Sequence, residues 1–325
     1  MNILFTNFCN RSCPYCFAKG KLILEKPSSC EYIKLKDLKT IVNFLKRSKV
    51  GKVGILGGEP TLHPEFKKAV TILIKAGLYL DIFTNGLMKR DIVLFLKGLD
   101  PKKYRVLLNI NSPKSYSKRE WSILNRTARL LGNTQLSLSF NIYQLEFNMD
   151  FTIDFIQRYH LVKRIRVGLA TPIFGSNNKY VEITEYPKIG NKILDFVEKI
   201  RGTGILLVFD CGFTLCSFTD EQLGRLFRFG THLFFHCESV IDVGPDLSVW
   251  SCFATSQIWN RKLTDFTDLN AVIDFYQEKF SGFHRVGSRS SCLRCEHLRL
   301  GNCSGGCLGH TLKEFHLENR LKELL

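Results

Sequence analysis

The sequence lacks an apolar run of about eighteen residues, which is the length that a membrane-spanning helix needs. It also lacks the basic and then apolar opening of a targeting segment, so a cytoplasmic protein without a membrane span is expected. Acidic residues are few beside basic ones, 30 against 46, which gives a net charge of +16. This excess suits nucleic acid, an acidic protein partner or an anionic substrate. Because the basic residues are scattered along the chain, a basic surface without a specific partner explains the charge as well.

What the sequence does have is cysteine. Twelve cysteines in a chain without a secretory pattern favour metal ligation over disulfides. The length of 325 residues suits one large α/β domain and a smaller one, and a hydrophobic content of 45% is enough for a core. The boundary is predicted near Gly202-Thr203-Gly204, which would divide the chain into residues 1–204 and 205–325.

Three of these cysteines, Cys9, Cys13 and Cys16, directly follow a short apolar run. Three thiols at C-x-x-x-C-x-x-C spacing, on a loop that leaves a strand, can hold three corners of a [4Fe–4S] cluster and leave its fourth iron open. An open coordination position distinguishes a reactive metal centre from a structural one. Zinc is the alternative, although zinc loops usually pair their cysteines as C-x-x-C. A disulfide would leave one of the three thiols over.

This triad, with Tyr15 directly before its third cysteine, resembles the signature of the radical S-adenosylmethionine (SAM) superfamily. The segment Gly57-Gly58-Glu59-Pro60 resembles the GGEP loop of that family, where backbone groups receive the amino group of SAM. Glycines suit this purpose because backbone approaches a ligand closely only where no Cβ intervenes. The resemblance implies that the three cysteines hold a [4Fe–4S] cluster that binds SAM, and that Tyr15 and the GGEP loop lie at the SAM site.

Short β-type runs alternate with amphipathic helical periods from the start of the chain to about residue 200. Strands are predicted at 2–6, 52–56, 79–84, 104–110, 135–142 and 164–169. Helices are predicted at 35–47, 66–74, 91–97, 118–131, 151–160 and 187–201. This alternation implies a parallel sheet of right-handed βαβ units. It matches the partial (β/α)6 barrel of radical SAM enzymes, in which chemistry is expected at the C-terminal ends of the strands.

Other predicted strands carry polar side chains that, by the same resemblance, contact the carboxylate and ribose of SAM. They are Asn85, Asn109, Asn141 and Arg166. Turn chemistry or strand capping is the alternative role for each asparagine. His63, in a Thr-Leu-His-Pro segment, is interpreted as a loop or helix-start residue and not as a catalyst.

Eight more cysteines follow the barrel pattern: Cys211, Cys216, Cys237, Cys252, Cys292, Cys295, Cys303 and Cys307. The last four, with nearby glycines, resemble the SPASM extension of radical SAM enzymes, which binds auxiliary [4Fe–4S] clusters. The segment from Cys237 to Cys252 resembles the hairpin that begins this extension. Because eight thiols suffice for two fully ligated clusters, two auxiliary [4Fe–4S] clusters are expected.

The C-terminal segment departs from the SPASM pattern at three points. Leu247 stands where the hairpin usually has glycine, the gap after Cys295 is longer, and the seventh cysteine expected after Cys307 is absent. Cys211 and Cys216, upstream of the hairpin, compensate in number. The sequence leaves open which cysteine serves which cluster.

Other interpretations of these cysteines remain. Cys292 to Cys307 can instead form a four-cysteine zinc site, and Cys211 or Cys216 can be a buried free thiol. Cys30, alone in a polar loop, is not expected to be a ligand. Residues 311–325 are predicted to form an amphipathic helix that docks on the barrel.

The resemblance implies an enzyme that reductively cleaves SAM to a 5′-deoxyadenosyl radical, which abstracts a hydrogen from a substrate. A ribosomally made peptide is the first expectation for that substrate. A small metabolite is the second, because no leader-binding domain is expected before a barrel that begins at residue 2. A basic metal-knot protein that binds nucleic acid would explain the charge but not the triad followed by GGEP.

An acidic electron donor of the flavodoxin or ferredoxin type, or an anionic substrate, is expected to dock on one of two basic groups. These groups are Lys19, Lys21 and Lys26 after the triad, and Arg285, Arg289, Arg294 and Arg299 around the last cysteines.

Overall fold

The computed structural model describes residues 1–22, 31–238 and 240–314. Lys26 and Cys30 lie outside the described residues, as does the predicted closing helix beyond residue 314. Within those ranges, none of the helices combines the length and apolar character that crossing a membrane requires.

The described strands form one sheet in the order β10-β9-β8-β1-β2-β3-β4-β5-β6-β7. The strands are β1 (Asn2–Leu4), β2 (Lys52–Leu56), β3 (Tyr79–Thr84), β4 (Tyr104–Asn109), β5 (Leu136–Ile142), β6 (Arg164–Leu169), β7 (Leu206–Phe209), β8 (Ile241–Val243), β9 (Ser248–Ser251) and β10 (Arg261–Lys262). Each strand from β1 to β7 pairs in parallel with the next. All their carboxyl ends therefore lie at the same edge of the sheet.

Helices connect the strands. They are α1 (Leu35–Arg47), α2 (Phe66–Lys75), α3 (Arg90–Lys97), α4 (Lys118–Leu131), α5 (Phe151–Tyr159), α6 (Tyr186–Ile200), α7 (Asp220–Arg228), α8 (Leu269–Val286), α9 (Glu296–Arg299) and α10 (Leu308–Glu314). Each of α1 to α6 buries one apolar face, as Leu38, Ile41 and Leu45 do in α1. A capping box between Ser117 and Glu120 fixes the start of α4.

The predicted α/β fold is confirmed, with a parallel sheet whose strands are connected by helical crossovers. The six predicted strands and six predicted helices of residues 1–201 are all present, with ends that differ by at most two residues. β1 is shorter than predicted, because Thr6 forms an antiparallel bridge with Tyr32 instead of continuing along β2.

A large apolar core lies between the outer face of the sheet and the helices. A second, smaller apolar cluster joins the two halves of the chain. It consists of Leu4, Ala18, Leu56, Trp250 and Phe253, and Cys16 packs against it. The triad loop thus rests on side chains from the C-terminal segment.

The C-terminal segment extends the same sheet beyond β1. β8 pairs in parallel with β1, and β9 and β10 continue antiparallel. Leu247, in the turn between β8 and β9, has a φ of 64°. Glycine is favoured in this left-handed region, which explains why a hairpin of this kind usually has glycine there. The domain boundary near residue 204 stays a prediction.

Candidate functional site

The cysteine triad lies on the loop after β1, at the carboxyl edge of the sheet. Cys9 is buried and Cys13 and Cys16 are half-buried, all three as free thiols. The Cys16 N–H donates to the Cys13 carbonyl at 3.1 Å, so a tight turn brings these two residues together. Burial and the nearby Glu59 raise the pKa of Cys9 to about 12, and burial raises the pKa of Cys16 to about 11. Both thiols are therefore neutral at pH 7 without a metal, and a metal that binds them must displace their protons.

Arg11, which the sequence did not single out, anchors the triad loop to the start of α4. Its guanidinium lies 3.9 Å from the centre of the Tyr116 ring. It also donates to the Ser115 carbonyl at 2.9 Å and lies 3.6 Å from the Glu120 carboxylate. In the sequence, only the position of Arg11 between the triad cysteines could have pointed to this role. Its partners gave no signal, because Ser115, for example, lies 104 positions away along the chain.

The GGEP loop packs directly against the backbone that leads into the triad. The N–H groups of Gly58 and Glu59 donate to the carbonyls of Thr6 and Phe8, both at 2.8 Å. A Cβ on Gly57 would lie 2.3 Å from the Thr6 carbonyl oxygen, and one on Gly58 would lie 2.2 Å from that of Phe8. Both glycines are therefore required by contact between the two loops, before any ligand is considered.

Glu59 is fully buried, and its carboxylate is held by four protein donors. Oε1 accepts from the Thr61 N–H at 3.2 Å, the Thr61 hydroxyl at 2.6 Å and the Thr84 hydroxyl at 2.7 Å. Oε2 accepts from the Asn85 N–H at 2.7 Å. Burial raises the pKa of this carboxyl group, while these hydrogen bonds oppose the shift. Glu59 thus joins the end of β2 to the end of β3, and Pro60 begins the buried turn that follows it.

Asn85 connects Glu59 to the triad loop. Its side-chain amide donates to the Asn10 side chain at 2.8 Å and approaches the Cys9 sulfur at 3.8 Å. Its side-chain oxygen accepts from the Leu87 N–H at 2.9 Å. Among the predicted SAM contacts, Asn85 is one whose side chain the structure brings to the sulfur of a triad cysteine.

Tyr15 stacks on Tyr143, with ring centres 4.5 Å apart and planes inclined by 20°. Burial raises the pKa of Tyr15, which a hydrogen bond with the Asn111 side chain opposes. Asn111 is itself buried and donates to the Asn141 carbonyl at 3.0 Å. Tyr143 was missed from the sequence because it lies just beyond a strand end and belongs to no motif.

Two predicted contacts, Asn141 and Arg166, meet around Gly168. Arg166 pairs with Asp210, a residue that the sequence did not identify. A Cβ on Gly168 would lie 3.2 Å from the Asp210 carboxylate and 3.4 Å from the Asn141 side-chain oxygen. The glycine therefore keeps space beside a charged pair. Asn109 ends β4 opposite Ser139 of β5, where it is half-buried.

Four cysteines line one cavity of about 310 Å³ in the C-terminal segment. They are Cys216, Cys292, Cys295 and Cys303. The remaining wall is largely apolar and includes Ile183, Phe218 and Leu298, with Arg289 at one side. We call this space the four-thiol cavity.

The other C-terminal cysteines gather elsewhere. Burial raises the pKa of Cys252, and its neighbours Cys307 and Cys237 raise it further. The Asp210 carboxylate raises the pKa of Cys211, to which Cys252 and Cys307 add. Cys307 forms a hydrogen bond with Thr171 and is not among the residues that line the four-thiol cavity. The structure therefore separates Cys307 from Cys303, although only three residues stand between them.

A basic groove of about 590 Å³ also has Cys292, Cys295 and Cys303 in its wall. Its wall includes the predicted arginines Arg285, Arg294 and Arg299, all of which are exposed. Leu293 and Leu300 nearby are 61% and 57% exposed, so apolar surface accompanies the charge. Arg289 lines the four-thiol cavity instead.

Within residues 1–22, 31–238 and 240–314, no three His, Cys, Asp or Glu side chains converge as ligands of a single metal ion. His63 is buried and engaged on both ring nitrogens. Nε2 contacts the Ile33 carbonyl at 2.8 Å, and Nδ1 accepts from the Glu65 N–H at 3.0 Å. This geometry fits the predicted structural role.

Comparison with known proteins supports the assignment of this site. Residues 3–129 match the model of the Radical SAM superfamily, a stretch that includes the triad, the GGEP loop and Asn85. A GTP 3′,8-cyclase of Haemophilus ducreyi is 29% identical over 133 residues, which cover 36% of this chain and 38% of that protein. An S-adenosylmethionine-dependent nucleotide dehydratase of Selenomonas ruminantium is 34% identical over 87 residues, covering 26% and 29%. The chain thus spans less than half of the length of these curated relatives.

Solved structures resemble the chain over its whole length. Streptococcus suis SuiB bound to the precursor peptide SuiA has a TM-score of 0.66 at 18% identity, covering 96% of this chain and 72% of SuiB. Native anSMEcpe with AdoMet and a Kp18Cys peptide also has a TM-score of 0.66 at 18% identity, covering 100% of this chain and 99% of that protein. At this identity the likeness shows the fold, which these proteins share with this chain from the triad to the last cysteines.

Proposed function

We propose that this chain, whose residues 3–129 match the model of the Radical SAM superfamily, cleaves SAM and modifies a peptide substrate. The observation that carries the first part is the triad with its support: three free thiols on a loop held by the GGEP backbone and by Asn85. This donor set fits a [4Fe–4S] cluster with one iron left for SAM. When bound, the reduced cluster supplies one electron that splits SAM into methionine and a 5′-deoxyadenosyl radical.

The chain's own residues bind and orient. We assign Cys9, Cys13 and Cys16 to the cluster and Gly57, Gly58 and Pro60 to the loop beside SAM. Glu59 acts by positioning, because protein donors hold both of its oxygens and through them fix Asn85 against Cys9.

Asn141 and Arg166, with Asp210, lie where the polar end of SAM is expected. The stacked pair Tyr15 and Tyr143, together with Asn109, forms the neighbouring wall.

The test is direct. Anaerobically reconstituted protein with dithionite and SAM should release 5′-deoxyadenosine and methionine in equal amounts. Protein depleted of iron should not. Absence of both products from protein that holds the triad cluster would contradict the proposed activity.

A peptide substrate is favoured by the extent of the structural likeness. The solved structures with bound peptides cover 96% and 100% of this chain, including its C-terminal cysteines. The relatives named for nucleotide chemistry match only 36% and 26% of it. The net charge of +16 keeps an anionic small metabolite as the second candidate.

Isotope transfer separates the two candidates. Peptides deuterated at each Cα or Cβ position, and deuterated nucleotides, would be supplied with unlabelled SAM. Deuterium in 5′-deoxyadenosine identifies the class that provides the hydrogen. Transfer from nucleotides alone would overturn the peptide proposal and leave the SAM chemistry intact.

Two auxiliary [4Fe–4S] clusters form the second half of the proposal. Eight thiols divide between the four-thiol cavity and the group around Cys252 and Cys307. Thiolate ligands require a reducing compartment, so a cytoplasmic location remains part of the proposal. One zinc per chain without auxiliary iron would instead support a zinc site among these cysteines.

We propose that an acidic electron donor of the flavodoxin or ferredoxin type docks at the basic groove. Arg285, Arg294 and Arg299 are exposed there beside Cys292 and Cys295, with Leu293 and Leu300 as apolar contacts. The alternative group is less suitable: Lys21 lies 4.5 Å from the centre of the Trp250 ring, and burial lowers its pKa. Exposed charges are screened within about 8–10 Å at physiological ionic strength, so reduction by the donor should slow steeply with salt. Equal rates for wild type and Arg294→Gln/Arg299→Gln at low salt would contradict this docking site.

A further inference from the structure

The four-thiol cavity draws its cysteines from two distant parts of the chain. Cys292, Cys295 and Cys303 come from the last cysteine motif, while Cys216 comes from the short helix Leu215–Ser217 after β7. We propose that Cys216 supplies the fourth thiolate of the auxiliary cluster in this cavity, an inference that rests on the auxiliary clusters of the proposed function.

The local geometry around Cys216 suits a ligand. The short helix begins with a capping box between Thr214 and Ser217, which fixes the backbone on both sides of the thiol. The Ser217 carbonyl packs so closely on α6 that a Cβ on Gly190 would lie 2.7 Å from it. Cys216 is thus held both by the capping box of its own segment and by the contact of that segment with α6.

Donors surround the sulfurs of this cavity. The Thr214 hydroxyl lies 3.3 Å from the Cys216 sulfur, and the Arg289 guanidinium donates to it at 3.9 Å. The Gly305 N–H donates to the Cys303 sulfur at 3.3 Å. Hydrogen bonds to sulfur stabilise cluster thiolates, and these bonds together with an apolar surround tune the potential of a cluster. Four thiolates would leave no open iron, so a cluster held here would serve in electron transfer and not in substrate binding.

The division between Cys303 and Cys307 supports the same assignment. Gly305 and Gly306, between them, have φ values of 72° and 97°. This left-handed backbone turns the chain so that Cys303 faces the cavity while Cys307 faces Thr171 and Cys252. The cavity therefore has three cysteines from the last motif, and Cys216 supplies its fourth.

Iron content after paired substitutions tests this assignment without an activity assay. The background is the Cys9→Ala/Cys13→Ala/Cys16→Ala protein, reconstituted anaerobically, which should hold about eight irons in two auxiliary clusters. Two thiolates do not hold a cubane, whereas three can. Cys216→Ala/Cys292→Ala should therefore fall to about four irons, and Cys216→Ala/Cys252→Ala should keep about eight in two clusters that each have one open iron. Both variants lack two cysteines, so each is a matched control for the other. Cys292→Ala/Cys295→Ala is the positive control for loss of this one cluster.

The single variant Cys292→Ala makes the outcomes distinct: it should keep about eight irons, because Cys216 leaves three thiolates in the cavity, and a fall to about four would overturn the role of Cys216. About eight irons in the Cys216/Cys292 variant would overturn the role of Cys216 alone. Loss of about four irons from the Cys216/Cys252 variant instead would assign Cys216 to the other cluster, and this would also overturn the inference. A background protein without iron would remove the auxiliary clusters and this inference together, while SAM cleavage by wild type would still test the first half of the proposed function.

Discussion

The triad loop and the four-thiol cavity both gather cysteines, but they do so by different means. The triad occupies eight consecutive residues, Cys9 to Cys16, and is held from outside by the GGEP backbone and Arg11. The cavity joins residues 216 and 292–303, and its shape depends on how the C-terminal segment lies against α6 and β7. Spacing therefore predicts the first site, whereas only the fold assembles the second.

The largest effect is expected from the triad itself. Cys16→Ala leaves two thiolates, which do not hold a cluster that must also bind SAM, so 5′-deoxyadenosine formation should fall to background. Auxiliary iron should remain, because the cavity takes no ligand from this loop. Ser12→Ala, an exposed residue on the same loop, is the control and should retain activity. If Cys16→Ala forms 5′-deoxyadenosine at the wild-type rate, Cys16 is not a ligand of the cluster.

The support of the triad can be broken without touching a cysteine. Gly58→Ala places a Cβ 2.2 Å from the Phe8 carbonyl oxygen and 2.8 Å from the Cys9 nitrogen, so the two loops must separate. We expect a loss of about 1–3 kcal/mol of stability and weaker retention of the triad cluster. Gly51→Ala, whose Cβ would meet no atom within 4 Å, is the matched control. Thermal unfolding and iron retention measure both, and equal behaviour of the two variants would contradict the contact.

The pairing of β1 with β8, where the two regions join, should make the stability of the protein depend on pH. Burial raises the pKa of Asp242 in β8 to about 7, partly offset by a hydrogen bond from Asn2 at 2.8 Å. A raised pKa favours the folded state below the unfolded value of 3.8, and this contribution is lost as pH rises through about 7. Wild type should therefore lose stability between about pH 4 and 7, on the order of 1–4 kcal/mol, while the pH profile of Asp242→Asn should be flatter. Parallel stability profiles for the two proteins would refute the assignment.

The smallest effect concerns the hairpin turn. Leu247 has a φ of 64° and packs against the core, so its substitution changes both strain and burial. Leu247→Ala and Leu247→Gly both remove the packing, and only glycine relieves the strain. The glycine variant should be the more stable of the two by up to about 1 kcal/mol, measured by thermal unfolding. A more stable alanine variant would show that the turn carries no strain.

The sequence predicted most of the barrel because strands and helices there have clear periods of two and 3.6 residues. It did not predict the end of β1, where Thr6 turns to Tyr32, since this bridge joins segments with no shared pattern. The triad and GGEP loop were identified from local spacing. Arg11 on Tyr116 and Tyr15 on Tyr143 were not, because each pair joins residues more than a hundred positions apart.

The C-terminal cysteines mark the limit of reasoning from spacing. Cys303 and Cys307 belong to one motif, and the sequence left open which auxiliary cluster each serves, with a shared zinc site as the alternative. Two glycines with left-handed backbone direct the two thiols to different surroundings. Backbone direction over four residues depends on packing around Gly287, whose Cα lies 2.7 Å from where a Gly305 Cβ would be. No pattern in the sequence contains that information.

The pairing of β1 with β8 also affects how the protein is made. Asn2 and its partner Asp242 are separated by 240 residues. The outer edge of β1 therefore cannot pair with β8 until most of the chain has left the ribosome. Until then, an edge strand with buried Ile3 and Leu4 can pair with other chains. Contacts of such long range slow folding and favour aggregation of intermediates. High yields of active protein should therefore depend on slow synthesis at low temperature, in addition to a supply of iron and sulfide.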